Sequence, residues 1–220
     1  MLKELTLADE ILVLMLRDDT GELKTECAKL APVAIAGGLL MELSVVGRID
    51  TDLKSLFVVD SKPTGDDLLD YAIEEIAGEA KRRPSAWWIE RLAGPGPDLL
   101  NKVLQRLVRA GVLLMDNRRY LWVFSRRAYP QNSGREEREA KSRLLSVING
   151  DELPEPRDTL LLGLAQASGV LHTMLSPDEM RRSANRIAEV VALEEIGRSV
   201  GTVASDLRSS LAAIADARFW

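Results

Sequence analysis

Apolar residues recur every three to four positions along most of the chain, the spacing that places them on one face of a helix. The first run follows Thr6 and Asp9, a capping-box pair that predicts a helix ending near Arg17. Similar capping residues and turns predict the other helix starts, at Pro63–Asp66, Ser85, Asp98, Ser133, Asp158, Ser176 and Ser199. The pattern therefore predicts an all-α, mostly helical fold.

The segment Ala28–Val46 is apolar on almost every side, with Glu42 as its main interruption. A helix without a polar face belongs in the middle of a bundle, so we expect this helix to be central and surrounded by amphipathic helices. Gly37 and Gly38 lie in its middle, where each glycine lowers helix stability by about 1 kcal/mol relative to alanine. Their presence predicts that a neighbouring backbone approaches closely at this point.

Two segments are typical of short β-hairpins. In the first, Arg48–Ile49 is expected to pair with residues 56–59. In the second, Val112–Met115 and Tyr120–Phe124 are the predicted strands, and Asp116–Arg119 is the predicted turn between them. The helical fold should therefore carry one or two short hairpins.

Length and composition favour one folded domain spanning residues 1–220, since 46% of the residues are hydrophobic and 29% are charged. The longest uncharged apolar run, Leu30–Met41, has 12 residues, whereas roughly 20 are needed to cross a bilayer. Cys27 is the only cysteine and cannot form an intramolecular disulfide. A reducing, cytoplasmic location is therefore expected.

The chain offers few residues for catalysis. It has one histidine, His172, and one cysteine, Cys27, too few for a zinc cluster or a Cys/His pair, and no triad pattern surrounds them. It also lacks the glycine-rich motifs that cradle nucleotide phosphates. We therefore expect a protein that is not an enzyme and uses no cofactor and no metal.

Charge is segregated along the chain. Residues 102–143 hold eleven Lys and Arg against four Asp and Glu, a net charge of +7, although the whole chain carries −5. The remaining residues therefore carry −12. An anionic partner would be attracted to the middle segment.

The second predicted hairpin combines aromatic residues with arginine pairs. Tyr120, Trp122 and Phe124 alternate along one strand and would share a face, and Arg118–Arg119 and Arg126–Arg127 bracket them. In one interpretation the aromatic face packs on the core. In the other, the aromatic residues insert shallowly into a membrane surface while the arginines meet anionic headgroups.

Several motifs in a consistent order resemble the Golgi phosphoprotein 3 family. They are Leu5–Glu10 with Asp18–Gly21, Leu40–Leu43 with Gly47–Ile49, Pro63–Asp66 with Leu68–Asp70, Trp88–Ile89, Leu107–Leu113 and Leu161–Leu171. The resemblance covers nearly the whole chain. It implies a helical core with a β-hairpin, binding of phosphatidylinositol 4-phosphate at a cationic pocket, and contact between the hairpin and the bilayer.

The resemblance and the charge pattern together predict a peripheral membrane protein that meets an anionic membrane lipid. Phosphoinositides are among the candidate lipids. Four pocket positions of the family fall on Cys27, Ala36, Pro97 and Leu100, none of which matches. Cations on the neighbouring helix could substitute, and the candidate lipid-binding residues are Lys102, Arg106, Arg109, Arg118, Arg119, Trp122, Arg126 and Arg127.

Two other classes of function remain open. One is a non-catalytic interaction scaffold, with protein partners or self-association through the hairpin. The other is a winged-helix-like nucleic-acid binder, in which the helix Asp98–Ala110 would enter the groove and Arg118–Arg119 would lie in the wing. A sequence pI near 5.2 and a leucine-rich helix argue against the second, so no nucleic-acid partner is expected.

Overall fold

The computed structural model describes residues 5–52, 55–120, 124–193, 209–210, 212–214 and 216–217. Its helices are α1 (Leu7–Met15), α2 (Ala31–Val45), α3 (Asp67–Gly78), α4 (Ser85–Leu92), α5 (Leu99–Arg109), α6 (Arg135–Asn149), α7 (Pro156–Ala167), α8 (Leu171–Met174) and α9 (Pro177–Leu193). Its strands are β1 (Ile49–Thr51), β2 (Leu56–Val58), β3 (Asp116–Tyr120) and β4 (Phe124–Ala128), paired as two antiparallel hairpins. The predicted mostly helical fold with short hairpins is confirmed.

Helix α2 is the centre of the core, as its apolar surface predicted. It packs against α1, α3, α4, α5 and α7, and nearly all of its residues are buried. At Gly38 an added Cβ would lie 2.9 Å from the Cα and the backbone nitrogen of Ala8 in α1. Gly37 is buried beside it. Glycine is therefore needed at position 38 because α1 and α2 cross with almost no space between their backbones.

Three predicted helix caps are present. Thr6 Oγ1 accepts a hydrogen bond from Asp9 N at 3.3 Å, and Asp9 Oδ2 accepts one from Thr6 N at 2.9 Å. Asp66 Oδ1 accepts from Leu68 N at 3.0 Å at the start of α3. Ser176 and the glutamate three residues later form the same reciprocal box before α9. These bonds satisfy backbone N–H groups that have no partner inside the helix.

Ser85 and Asp98 lie at the predicted starts of α4 and α5 but have different roles from those expected. Ser85 is itself the first residue of α4, and Pro84 holds the N-cap position. The Asp98 carboxylate accepts hydrogen bonds from the side-chain amide of Asn101 at 2.8 and 2.9 Å instead of from the backbone. The left-handed conformation of Asp98, with φ of 48°, accompanies this change.

Two other helix starts are displaced by two residues. Helix α6 begins two residues after Ser133, because Gly134 adopts φ of 62° and interrupts the helical backbone. Helix α7 begins at Pro156, whose fixed φ suits the first helical position, and Asp158 lies in its first turn. The predicted start at Ser199 lies outside the described residues.

The first hairpin forms where it was predicted, whereas the predicted strands of the second were wrong. Asp116–Arg119, the predicted turn, lies within β3, and the connection to β4 falls at residues 121–123. Val112 and Leu113 are buried in the hydrophobic core. The apolar run 112–115 therefore enters the core through Val112 and Leu113, and the paired strands begin after it.

No helix among the described residues is both long enough and apolar enough to span a membrane. This agrees with the short apolar runs in the sequence.

Candidate functional site

The β3–β4 hairpin, called the ribbon below, is held at its base by the chain on both sides. Leu114 N donates to Pro130 O at 2.8 Å, and Asn132 N donates to Val112 O at 3.0 Å. The side-chain amide of Asn132 also donates to Gly111 O at 2.9 Å. These bonds fix the ribbon immediately after the end of α5.

The ribbon carries four candidate arginines at defined register positions. Arg118 lies directly opposite Arg126, whereas Arg119 lies opposite Ser125 and Arg127 opposite Asn117. Because positions alternate between the two faces of a strand, the 118/126 pair belongs to one face and positions 119 and 127 to the other. Like charges at opposing positions are destabilising. The register thus places arginine positions 118 and 126 directly opposite each other.

Trp122, the proposed inserting residue, lies outside the described residues, so its two interpretations remain predictions. Apolar side chains are nevertheless exposed at the base of the ribbon. Leu114 is 48% exposed and Met115 is 52% exposed. The chain that enters the ribbon therefore presents apolar groups to solvent directly beside the arginine-bearing strands.

The three candidate cations of α5 face a cavity of about 510 Å³ between α5 and the start of α3. Lys102 Nζ lies 4.4 Å from the centre of the Tyr71 ring. Arg109, the last residue of α5, is exposed on the same side. Arg106 lies between them in sequence and is much less exposed.

Arg106 is fully engaged by acidic residues of the protein itself. Its guanidinium lies 2.7 Å from Asp9 Oδ1 and 3.0 Å from Asp66 Oδ1, and it donates to Thr6 Oγ1 at 3.0 Å. Burial raises the pKa of the Asp9 carboxyl, and the nearby Arg106 charge opposes that shift. Arg106 therefore ties α5 to the starts of α1 and α3, and Lys102 and Arg109 are the α5 candidates that a ligand can reach.

A second ion-pair network, which the sequence analysis did not identify, joins α1 to α2, α6 and α7. Arg157 contacts Glu10 at 3.2 Å and Glu42 at 3.0 Å, and Arg143 pairs with Glu10 as well. Glu42 also accepts a hydrogen bond from Leu7 N at 2.8 Å. Burial raises the pKa of the Glu10 carboxyl, while Arg157 and Arg143 act in the opposite direction. In the sequence, the signal for this network was the presence of Glu10 and Glu42 within apolar helices, because a buried charge needs a partner of opposite sign.

The positions that the resemblance assigns to a cationic pocket carry no charge, and three of the four are buried. Cys27 and Ala36 have no exposed surface, and burial raises the pKa of the Cys27 thiol. Pro97 is buried, and Leu100 is partly buried against the core. These four positions therefore supply no charge to a phosphate.

A comparison of the chain with known protein families identifies the same family that the order of its motifs indicated. A model of the family described as Golgi phosphoprotein 3 (GPP34) matches residues 7–212, from the first residue of α1 to beyond the end of α9. The match includes the ribbon, the α3–α5 cavity and both ion-pair networks. The chain belongs to the Golgi phosphoprotein 3 family.

Proposed function

We propose that this protein is a peripheral membrane protein that binds anionic lipid surfaces through the ribbon and acts without catalysis on the cytoplasmic side of the membrane. The observation that carries the proposal is the register of the ribbon, which sets Arg118 directly opposite Arg126. Membership of the Golgi phosphoprotein 3 family supports it. The net charge of +7 over residues 102–143 is consistent with such a partner.

Electrostatics explains why the ribbon favours an anionic surface. Two arginines at opposing positions repel each other, and an anionic headgroup between them would remove that repulsion. Each basic residue near a negatively charged membrane contributes about 1 kcal/mol of attraction. The arginines on the face that meets the membrane can therefore supply a reversible binding energy that decreases as salt increases.

Exposed apolar residues at the base of the ribbon complement this attraction. Leu114 and Met115 can enter the boundary between headgroups and acyl chains, while the arginines remain at headgroup level. If Trp122 is also exposed, it would add an aromatic side chain at the same depth. Binding would then combine charge attraction with shallow insertion.

The choice of lipid is a separate question. The resemblance implies phosphatidylinositol 4-phosphate, but Cys27, Ala36, Pro97 and Leu100 offer no cation to its phosphate. We therefore propose recognition of anionic lipid in general. Vesicles with phosphatidylinositol 4-phosphate and vesicles with phosphatidylglycerol, matched in total charge, would test this, since equal binding is expected.

Vesicle sedimentation tests the proposed surface. Vesicles of phosphatidylcholine with phosphatidylglycerol should sediment the native protein, and vesicles of phosphatidylcholine alone should not. The double substitution Arg118→Gln/Arg126→Gln should abolish most of the binding. The matched control is Arg181→Gln/Arg182→Gln, which removes the same charge from exposed positions of α9. Equal loss in both double variants would refute a specific role of the ribbon.

Measurements on the native protein also distinguish the alternative functions. Retention of a DNA duplex by the native protein, with no binding to anionic vesicles at the same salt concentration, would favour the nucleic-acid hypothesis. Absence of both activities would favour the scaffold.

A further inference from the structure

The cavity between α3 and α5 contains both engaged and unengaged charges. Asp66 and Arg106 form an ion pair in the wall, and Arg106 is shared with Asp9. Among the residues that the structure describes, Asp67 and Arg109 line the same cavity without an ion pair. Within the described part of the chain, the unpaired charged side chains that line the cavity therefore include both an acid, Asp67, and a base, Arg109.

Lys102 and Gln105 complete the polar lining that a ligand would meet. Lys102 lies over Tyr71 and has no carboxylate partner within the described part of the chain, and Gln105 is exposed. Each side chain can donate hydrogen bonds to phosphate oxygens. With Arg109, they place donors along one face of α5 while Asp67 projects from α3.

We infer that this cavity binds a zwitterionic phosphodiester, with Arg109 and Lys102 at the phosphate and Asp67 at an ammonium group. Glycerophosphoethanolamine, the headgroup portion of phosphatidylethanolamine, has this chemistry. A cavity of about 510 Å³ has room for a small ligand of this kind.

The carboxylate of Asp67 is the feature that decides between ligand classes. A phosphate monoester or a multiply phosphorylated inositol would place two or more negative charges near Asp67, and like charges in a confined site repel. A phosphodiester has one negative charge, and its ammonium group would pair with the aspartate. The same cavity therefore favours a zwitterion over a polyanion.

This inference rests on the proposed function only in taking a membrane lipid as the source of the headgroup. Arg109 ends α5, and the exposed Leu114 and Met115 lie a few residues later, directly before the ribbon. A headgroup in the cavity would thus be bound close to the surface where the ribbon is proposed to meet the bilayer. The ribbon would attract the protein to anionic membranes in general, and the cavity would select the lipid headgroup.

Amide chemical-shift titrations of the full chain test the inference without a membrane. Glycerophosphoethanolamine should shift amides of α3 and α5 and bind more tightly than glycerol 3-phosphate. Arg109→Gln should weaken binding of both compounds by at least about tenfold, which corresponds to about 1.4 kcal/mol. Asp67→Asn should weaken binding of glycerophosphoethanolamine alone. Arg182→Gln, an exposed substitution on α9, should change neither affinity.

Several outcomes would overturn the inference. Tighter binding of glycerol 3-phosphate than of glycerophosphoethanolamine by the native protein would exclude a zwitterion site. Equal weakening of both compounds by Asp67→Asn would show that the aspartate does not select the ammonium, and shifts confined to other helices would place the ligand elsewhere. Melting curves of each variant should match the native curve, because both positions are exposed.

Vesicles distinguish the source of the ligand and keep the two proposals separate. Phosphatidylethanolamine added to vesicles of constant anionic charge should increase binding of the native protein but not of Asp67→Asn. No increase, with soluble glycerophosphoethanolamine still bound, would indicate a free phosphodiester as the ligand. Failure of the native protein to bind anionic vesicles would refute the proposed function and leave the titration result intact.

Discussion

Gly21 lies directly against the main chain of Tyr129. A Cβ added to Gly21 would fall 2.0 Å from the Tyr129 carbonyl carbon and 2.2 Å from Pro130 N. Tyr129 N in turn donates to Gly21 O at 3.4 Å. Since Tyr129 follows the last residue of β4, the turn after α1 contacts the chain immediately after the returning strand of the ribbon.

Replacing Gly21 by alanine should therefore destabilise the protein through two effects. The residue has φ of 65°, which costs a non-glycine residue about 1–2 kcal/mol, and the new methyl group would collide with the main chain. Gly47→Ala is the matched control, because Gly47 has φ of 67° but no atom lies within 4 Å of its added Cβ. Urea denaturation should show a larger loss of unfolding free energy for Gly21→Ala. Equal losses would contradict the close contact.

Gly38→Ala should destabilise the α1–α2 crossing. Because its Cβ would lie 2.9 Å from the Ala8 backbone, the helices must separate, at an expected cost of about 1–3 kcal/mol. Gly78→Ala, at the end of α3, meets no atom within 4 Å and should leave stability unchanged or raise it by up to about 1 kcal/mol. Thermal or urea unfolding of both variants measures the difference. A stable Gly38→Ala variant would show that the crossing tolerates expansion.

Arg106→Met should strongly reduce stability, although it retains much of the apolar stem. It would leave Asp9 and Asp66 buried without their guanidinium partner, a change expected to cost about 3–5 kcal/mol. Arg91→Met removes an exposed arginine that pairs with Glu75 and should cost at most about 1 kcal/mol. If both variants unfold at the same urea concentration, Arg106 does not have the connecting role that we assign to it.

The buried Glu10 carboxyl should give the protein a measurable dependence on pH. Its folded pKa is raised above the ordinary value of 4.5 by burial, so the folded state holds this proton more tightly than the unfolded chain. The stability that follows is present below about pH 4.5 and is lost as pH rises through the folded pKa. Glu10→Gln cannot titrate, so the unfolding free energy of the native protein minus that of the variant should fall over this range. A difference that is constant with pH, or that increases, would contradict the raised pKa.

The order of helices, the central apolar helix and the close approach at Gly38 could be predicted from the sequence. Capping residues such as Thr6 and Asp66 act on N–H groups two or three residues away, so their effect is visible in a short stretch of chain. The apolar surface of α2 is likewise a property of one segment. Family membership followed from the same local motifs.

The register of the ribbon depended on the tertiary structure. Val112 and Leu113 are of a type common in strands, but they are buried in the core instead of paired in the ribbon. Arg118 and Arg119 are polar and were expected in the turn, yet they lie in β3 because the paired strands begin only where the chain leaves the core. Composition alone cannot distinguish these two uses of an apolar segment.

The candidate site was decided mainly by which segments meet in three dimensions. Lys102, Arg106 and Arg109 share one helix and looked equivalent in sequence, but Arg106 meets carboxylates 97 and 40 residues away and becomes internal. Asp67 and Arg109 likewise come to line one cavity although they are 42 residues apart in the chain. The sequence by itself determined helices, caps and the distribution of charge, because these depend on neighbouring residues. Only the tertiary structure decided which charges are neutralised and which face a ligand, because Coulomb attraction and desolvation depend on distances between segments that are far apart in the chain.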